Sequence, residues 1–299
     1  MTAEYVHIEE TTASDLWQLA ARYRLPRPSI GGRSTSTGGS ARQSRLGRDF
    51  DGYVPYRTGE DVRHVDWPLY ARTGGLYVRR YQDEDAGRYL LVLDCSGSMS
   101  VLGGKKWVWA KCLATLIGFV ALRAGHEIEV ALCVDGSIRR GQIWSGTDAA
   151  HLLVAMLDSF QPTGPCRLDS LFQGAVSMSS YRQVFVLSDM LMTETVGADL
   201  EWLAPYAHKS LVVRILAPKE LVPVEGQASN PEKQQDVFLR RSDAQRLQAQ
   251  IDLYETRLQQ GVRRHSIPMV NVDLTGRFDR EAAQVFTRLT RRSVNSLVL

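Results

Sequence analysis

The sequence predicts a doubly wound α/β fold, a mostly parallel sheet flanked by helices, with an N-terminal extension. From about residue 88 to the end, short apolar runs rich in β-branched residues alternate with amphipathic helix-like segments, which is typical of parallel strands covered on both faces. The chain has 299 residues, of which 44% are apolar and 23% charged, so it is long enough and apolar enough to bury a large core.

The predicted elements are arranged in order along the chain. A first helix is expected at 14–24, with Ser14 as its N-cap. Strands are predicted at 89–94, 127–135, 183–188, 210–216 and 267–274, with "GLYVRRYQ" as a neighbouring strand to the first of these. Helices are predicted at 105–124, 147–160, 168–180, 197–207, 242–260 and 279–292. Because the helix at 105–124 is apolar nearly all round, Trp107 and Trp109 are expected to pack in the core.

These elements group into three segments. Residues 1–46 hold the first helix and a Gly/Ser-rich stretch at 31–42, which has no apolar residue larger than Ala and is expected to be a loop or linker. Residues 47–87 interleave acids, arginines and aromatics and end in a strand, and residues 88–299 form the α/β domain.

The charge pattern of the middle segment supports two interpretations. The residues concerned are Arg57, Glu60, Asp61, Arg63, His64, Asp66, Trp67 and Arg72. They form either an internal ion-pair network that holds a loop in place or an interaction surface. His64 and Asp66 have no third ligand at a useful spacing, so we expect a packed or surface histidine there.

Composition argues against several classes of function. The net charge of +3 is small for this length, which gives no general footprint for nucleic acid. The first 30 residues carry four acids and no apolar core of a signal peptide, and no apolar stretch is long enough to span a membrane. We therefore expect a cytoplasmic protein. Its four cysteines lack any C-x-x-C spacing, which predicts free, mostly buried thiols.

The stretch "LDCSGSMS" at 93–100 is the strongest candidate site. Asp94, Ser96 and Ser98 come after an apolar strand at a spacing of two, and Asp189 comes after another strand. Ligands in open parallel sheets bind beyond the carboxyl ends of the strands, and carboxylate and hydroxyl oxygens suit Mg²⁺ or Mn²⁺. The alternative is a structural turn, because Asp and Ser also cap helices and bond to nearby amides.

Residues 47–100, from "GRDFDGYVPYRTGEDVRHVDW" through "ARTGG" to "LLVLDCSGSMS", resemble the uncharacterised DUF58 family, and the D-x-S-x-S pattern resembles the metal-ion-dependent adhesion site of von Willebrand factor A domains. The resemblance implies a von Willebrand factor A-like fold and a metal site made of Asp94, Ser96, Ser98, a threonine and Asp189. Alignment on Leu168 places Cys166 at the threonine position, whereas a shifted loop places Thr163 there. A thiol is a poor ligand for Mg²⁺.

Three functions are hypotheses at this point. The first is a non-enzymatic protein-interaction module, in which a bound Mg²⁺ or Mn²⁺ takes an Asp or Glu carboxylate from a partner. The DUF58 resemblance implies a MoxR-type AAA+ ATPase as that partner, in the assembly or activation of protein complexes. The second is a metal-free scaffold of the same fold. The third is a metal-dependent phosphohydrolase with Asp94 as nucleophile, although the second carboxylate such enzymes use is replaced here by Ser96.

Overall fold

The computed structural model describes residue 8 and residues 11–25, 50–56, 65–81, 87–168, 178–191, 200–223, 225–230 and 235–295. The chain divides into two compact units. One consists of Met1–Pro26 together with Gly87–Leu299, and the other of Arg27–Ala86. The first helix therefore belongs to the same unit as the sheet that begins after Gly87.

Within the described residues, the strands are β1 (Phe50–Pro55), β2 (Tyr77–Tyr81), β3 (Arg88–Asp94), β4 (Glu127–Val134), β5 (Ser137–Trp144), β6 (Tyr181–Ser188), β7 (Ser210–Ile215), β8 (Gly226–Asn230), β9 (Gln235–Leu239) and β10 (Met269–Val272). The α-helices in the same ranges are α1 (Ala13–Ala20), α2 (Trp67–Thr73), α3 (Lys105–Arg123), α4 (Ala150–Asp158), α5 (Arg241–Arg264) and α6 (Phe278–Asn295).

Six strands of the larger unit form one sheet in the order β10-β7-β6-β3-β4-β5. Neighbouring strands run parallel, except for β4 and β5, which form an antiparallel hairpin at one edge. From β3 the chain moves to β4 on one side, and later adds β6, β7 and β10 on the other side. This reversal confirms the predicted doubly wound fold and places a topological switch point between β3 and β6.

Two cores lie on opposite faces of this sheet, because successive side chains of a strand point to opposite sides. Leu91 belongs to the core that α3 and α6 cover, whereas Leu90 belongs to the core that includes Leu258 of α5. Every residue from Tyr89 to Leu93 is at most 1% exposed. Helices therefore cover both faces of the sheet, as the apolar strands predict.

The apolar helix α3 is the main partner of the sheet on one face. Trp107 and Trp109 are 3% and 2% exposed, and the Trp109 ring lies 5.5 Å from the Phe278 ring of α6. The prediction that both tryptophans pack in the core is confirmed. Among the helices of the described ranges, none is long and apolar enough to cross a membrane. The four cysteines are free thiols, as predicted.

The N-terminal helix α1 lies close to its predicted position, but its N-cap is Thr12 and not Ser14. The Thr12 hydroxyl accepts the Asp15 N–H at 3.2 Å, and the Asp15 carboxylate accepts the Thr12 N–H at 2.9 Å. This reciprocal capping box explains why the helix begins there. The helix packs on α3 through Trp17 and Phe119, whose ring centroids are 5.0 Å apart.

The smaller unit contains β1, α2 and β2. The prediction that β2 neighbours β3 is wrong, because β3 is paired on both sides by β4 and β6 while β2 pairs antiparallel with β1. Asp66 is 3% exposed and caps α2 by accepting the Leu69 N–H at 3.0 Å. The remaining acidic and basic residues at 57–64 lie outside the described residues, so the two interpretations of that segment stay open.

Several elements differ from the sequence prediction. The strand β5 and the hairpin of β8 and β9 were not predicted. Residues 200–207, predicted to be helical, form turns and part of a 3-10 segment at Ala204–Lys209, where Pro205 near the start lacks a backbone donor. The predicted helix at 168–180 falls mostly outside the described residues, and its last residues, Met178–Ser180, form a 3-10 turn.

A polar triad joins β4, β5 and β6, in which Glu129 and Tyr181 are buried and Arg140 is exposed. The Tyr181 hydroxyl donates to one Glu129 oxygen at 2.7 Å, and the Arg140 guanidinium donates to the other at 2.8 Å. Burial and then the nearby Glu129 carboxylate raise the pKa of Tyr181 to about 12, from an ordinary value of 10.0. The folded protein therefore keeps the phenol proton at a pH where the unfolded chain releases it.

We expect this triad to make the fold sensitive to alkali. A folded-state pKa above the unfolded value gives a contribution that is complete below pH 10.0 and is lost as the pH rises through about 12. The free energy of unfolding of the parent should therefore fall more steeply over this window than that of Tyr181→Phe, as measured by urea titration. The exposed Tyr70→Phe change serves as the control and should behave like the parent. Equal slopes for the parent and Tyr181→Phe would contradict this prediction.

Candidate functional site at the carboxyl edge of the sheet

The carboxyl ends of β3 and β6 bring together residues that are far apart in sequence. β3 and β6 pair in parallel, with Leu93 opposite Leu187. The Ser188 hydroxyl consequently donates to Asp94 Oδ2 at 2.6 Å. The two strands are neighbours, and their carboxyl ends meet at the topological switch point of the sheet.

The D-x-S-x-S segment forms a tight turn around the Asp94 carboxylate. Asp94 Oδ1 accepts the Ser96 N–H at 2.9 Å, and the hydroxyls of Ser96 and Ser98 lie 2.9 Å apart. Asp94 and Ser96 are 3% and 1% exposed, whereas Ser98 is half-buried. Burial and then the charge of Asp189 raise the pKa of Asp94, while the hydrogen bonds from Ser188 and Ser96 lower it to a smaller extent.

The loop at 163–166 crosses this turn. The Thr163 N–H donates to the Cys95 carbonyl at 2.9 Å, and the Gly164 carbonyl accepts the Gly97 N–H at 2.8 Å. Thr163 itself is exposed. Cys166 is half-buried, and the pKa of its thiol is raised by burial, by Cys133 and by Asp94. Of the two candidates for the threonine position, Cys166 is the one whose pKa Asp94 affects, and Thr163 is the more exposed.

Asp189 is fully buried and forms an ion pair with a buried lysine, which the sequence pattern did not reveal. Lys106, in the first turn of α3, has no exposed surface, and its Nζ lies 2.7 Å from Asp189 Oδ2 and 2.6 Å from Glu220 Oε1. Burial by itself lowers the pKa of Lys106, but the two carboxylates outweigh it and raise the pKa above the ordinary value. The lysine is therefore an ammonium ion inside the protein.

The backbone after Asp189 is attached to helix α5. Arg214, at 3% exposed, donates to the Asp189 carbonyl at 3.1 Å and to a Glu255 oxygen at 2.8 Å. Tyr254 donates to the carbonyl of Met190, which has the left-handed φ of 55°. The backbone carbonyls of Asp189 and Met190 are therefore held by side chains of β7 and α5.

A family model described as "Protein of unknown function DUF58" matches residues 53–260, which is more than half of the chain. This protein belongs to the DUF58 family. The match confirms the resemblance that residues 47–100 carry, and it extends from β1 into α5. It therefore includes the segment before the sheet as well as both halves of the site.

Solved structures similar to this DUF58 chain include the VWA domain of SpRpn10. That match has a TM-score of 0.41 and 10% sequence identity, and it covers 67% of this chain and 95% of the other. The pilus adhesin SpaC from Lactobacillus rhamnosus GG matches with a TM-score of 0.33 and 8% identity, and the match covers 72% of this chain and 31% of SpaC. A comparison with curated proteins found no match.

The donor set of this DUF58 site fits a divalent cation only in part. The paired hydroxyls of Ser96 and Ser98 are hard ligands of the kind Mg²⁺ and Mn²⁺ prefer. Asp189 is less suitable, because Oδ2 accepts from Lys106 and Oδ1 accepts the Leu191 N–H at 2.9 Å. No group of three or more His, Cys, Asp and Glu in the described ranges is arranged to hold a metal.

The charges around Asp189 also oppose a divalent cation. The Lys106 ammonium lies 2.7 Å from Asp189 Oδ2 and has no exposed surface, so a divalent ion bound to Asp189 would meet a like charge in direct contact with its ligand. Lys106 therefore neutralises the Asp189 charge that a metal would use. The residues present do not fit a resident divalent cation. The assignment of Mg²⁺ or Mn²⁺ to Asp94, Ser96, Ser98, Thr163 and Asp189 stays a prediction.

We expect Lys106→Met to destabilise the fold by about 3 to 5 kcal/mol, because it leaves buried carboxylates without their counter-ion. Lys111→Met is the matched control on the same helix. Lys111 also makes a 2.7 Å ion pair, but its partner Asp158 is 60% exposed. The control should therefore cost at most about 1 kcal/mol. Urea titration measures the free energy of unfolding of both variants. Similar losses of stability would contradict the larger contribution that we assign to the buried Lys106 ion pair.

Proposed function

We propose that this protein is a non-enzymatic protein-interaction module whose docking face is the carboxyl edge of the sheet, around Ser98 and Thr163. The observation that carries the proposal is the division of the site into buried and exposed parts. Asp94, Ser96 and Asp189 are buried and hydrogen-bonded, whereas Ser98 is half-buried and Thr163 is exposed. The accessible part of this site, among the residues that the structure describes, is therefore a polar surface above buried carboxylates.

The enzyme alternative has weaker support. A phosphohydrolase with Asp94 as nucleophile needs that carboxylate to be accessible and a second acid two residues later. Asp94 is 3% exposed, and its two oxygens accept from Ser96 and Ser188. The position of the second acid is Ser96. A carboxylate that is buried and held in this way is poorly placed to attack a phosphate ester.

Two forms of the interaction module remain. In the metal-dependent form, Mg²⁺ or Mn²⁺ on the D-x-S-x-S turn binds an Asp or Glu carboxylate of the partner. In the metal-free form, the same edge of the sheet binds the partner through hydrogen bonds and shape. The buried Lys106 and the Cys166 thiol beside Asp94 favour the metal-free form. The partner that DUF58 membership suggests is a MoxR-type AAA+ ATPase, and assembly or activation of protein complexes is the proposed role.

We expect Thr163→Arg to weaken binding to a purified MoxR-type AAA+ ATPase from the same organism, because it adds a long charged side chain to the docking face. Thr147→Arg is the matched control. Thr147 is also exposed but lies beyond Trp144, which pairs with Ile128 near the amino end of β4. Surface plasmon resonance measures both, with circular dichroism to verify folding. Equal binding by both variants and the parent would contradict this docking face, and no binding by the parent would contradict this partner.

A further inference from the structure

The buried cation of the site sits where a helix disfavours positive charge. Lys106 lies in the first turn of α3, and the amino end of a helix carries a partial positive charge that stabilises anions and not cations. Its neighbour Lys105 is exposed to solvent, yet Lys106 is fully buried. Both burial and the helix end oppose a charged lysine here, so the two carboxylates must supply what keeps it in place.

Two carboxylates hold the Lys106 ammonium. Its Nζ contacts Asp189 at 2.7 Å and Glu220 at 2.6 Å. The second Glu220 oxygen accepts the Ala217 N–H at 2.9 Å, so the carboxylate is itself held in position. The ammonium thereby joins the start of α3, the segment after β6 and the turn after β7. A metal ion on the D-x-S-x-S turn would share one of these contacts, because it would also need the Asp189 carboxylate that the ammonium occupies.

We infer that the Lys106 ammonium is the built-in cation of this site and replaces the divalent metal that its D-x-S-x-S turn would otherwise hold. Asp189 has its charge neutralised from within the protein, and the thiol of the half-buried Cys166, whose pKa Asp94 helps to raise, is a poor ligand for a hard cation. The docking face therefore keeps its shape without a metal. The inference rests on the proposed function only in treating this edge as the docking face.

The test is Mn²⁺ binding, monitored by electron paramagnetic resonance, in the full chain and three variants. Cys166→Thr restores the threonine oxygen, Lys106→Met removes the cation with little change in volume, and the third variant combines the two. We expect no saturable binding by the parent or by Cys166→Thr. Saturable Mn²⁺ binding should appear in the combined variant, because the released carboxylates then face a complete set of hard ligands.

Several outcomes would overturn the inference. These are Mn²⁺ binding by the parent, Mn²⁺ binding by Cys166→Thr alone, and no binding by a folded combined variant. Cys166→Thr keeps the buried ion pair, so the test stands even where Lys106→Met does not fold. Circular dichroism in the presence of Mn²⁺ identifies the folded variants. Because no partner is present, failure here is distinct from failure of the ATPase-binding experiment.

Discussion

The ion pair between Lys106 and Asp189 is the interaction on which the rest of the site depends. Asp189 is held through its side chain by α3 and through its carbonyl by Arg214, which in turn pairs with α5. One residue at the end of β6 is thereby bound to helices on both faces of the sheet. Breaking the pair would leave buried charges unpaired, which proteins tolerate poorly. The fold and the shape of the candidate docking face are therefore coupled.

A lysine side chain and a bound metal ion differ in how they supply positive charge to a site. A metal-dependent adhesion site has to acquire its cation from solution, and its affinity for a partner depends on the free concentration of that ion. A lysine is present in every copy of the chain and cannot dissociate. Because Lys106 has no exposed surface, its charge shapes the site without contacting a partner. In the proposed function, the groups left for recognition are the exposed loop at Thr163 and the half-buried hydroxyl of Ser98.

Features that depend on local pattern and on the geometry of parallel sheets could be predicted from the sequence. The apolar run before Asp94 indicated a strand buried on both faces, and the similar run before Ser188 placed its end at the same edge of the sheet. Lys106 was missed because its partners are 83 and 114 residues away, and nothing in "KKWVW" marks one lysine as buried. The only signal was a cation in the first turn of a helix, where it needs a compensating partner.

Other differences also have identifiable causes. The strand β5 is mostly exposed, so its composition did not indicate burial, although Asp135 and Gly136 are a typical hairpin turn pair and both adopt positive φ. The pairing of β2 with β1 depends on which strands fill the two edges of β3, and no local pattern contains that information. Capping by Thr12 was present in the sequence as a Thr-x-x-Asp pattern.

Whether the cation of this site is a lysine is tested most directly by the anomalous scattering of crystals of the parent protein grown with Mn²⁺. We predict no anomalous peak between Asp94 and Asp189, with the Lys106 ammonium in contact with the Asp189 carboxylate. A manganese peak on the hydroxyls of Ser96 and Ser98, with Lys106 displaced from Asp189, would contradict it.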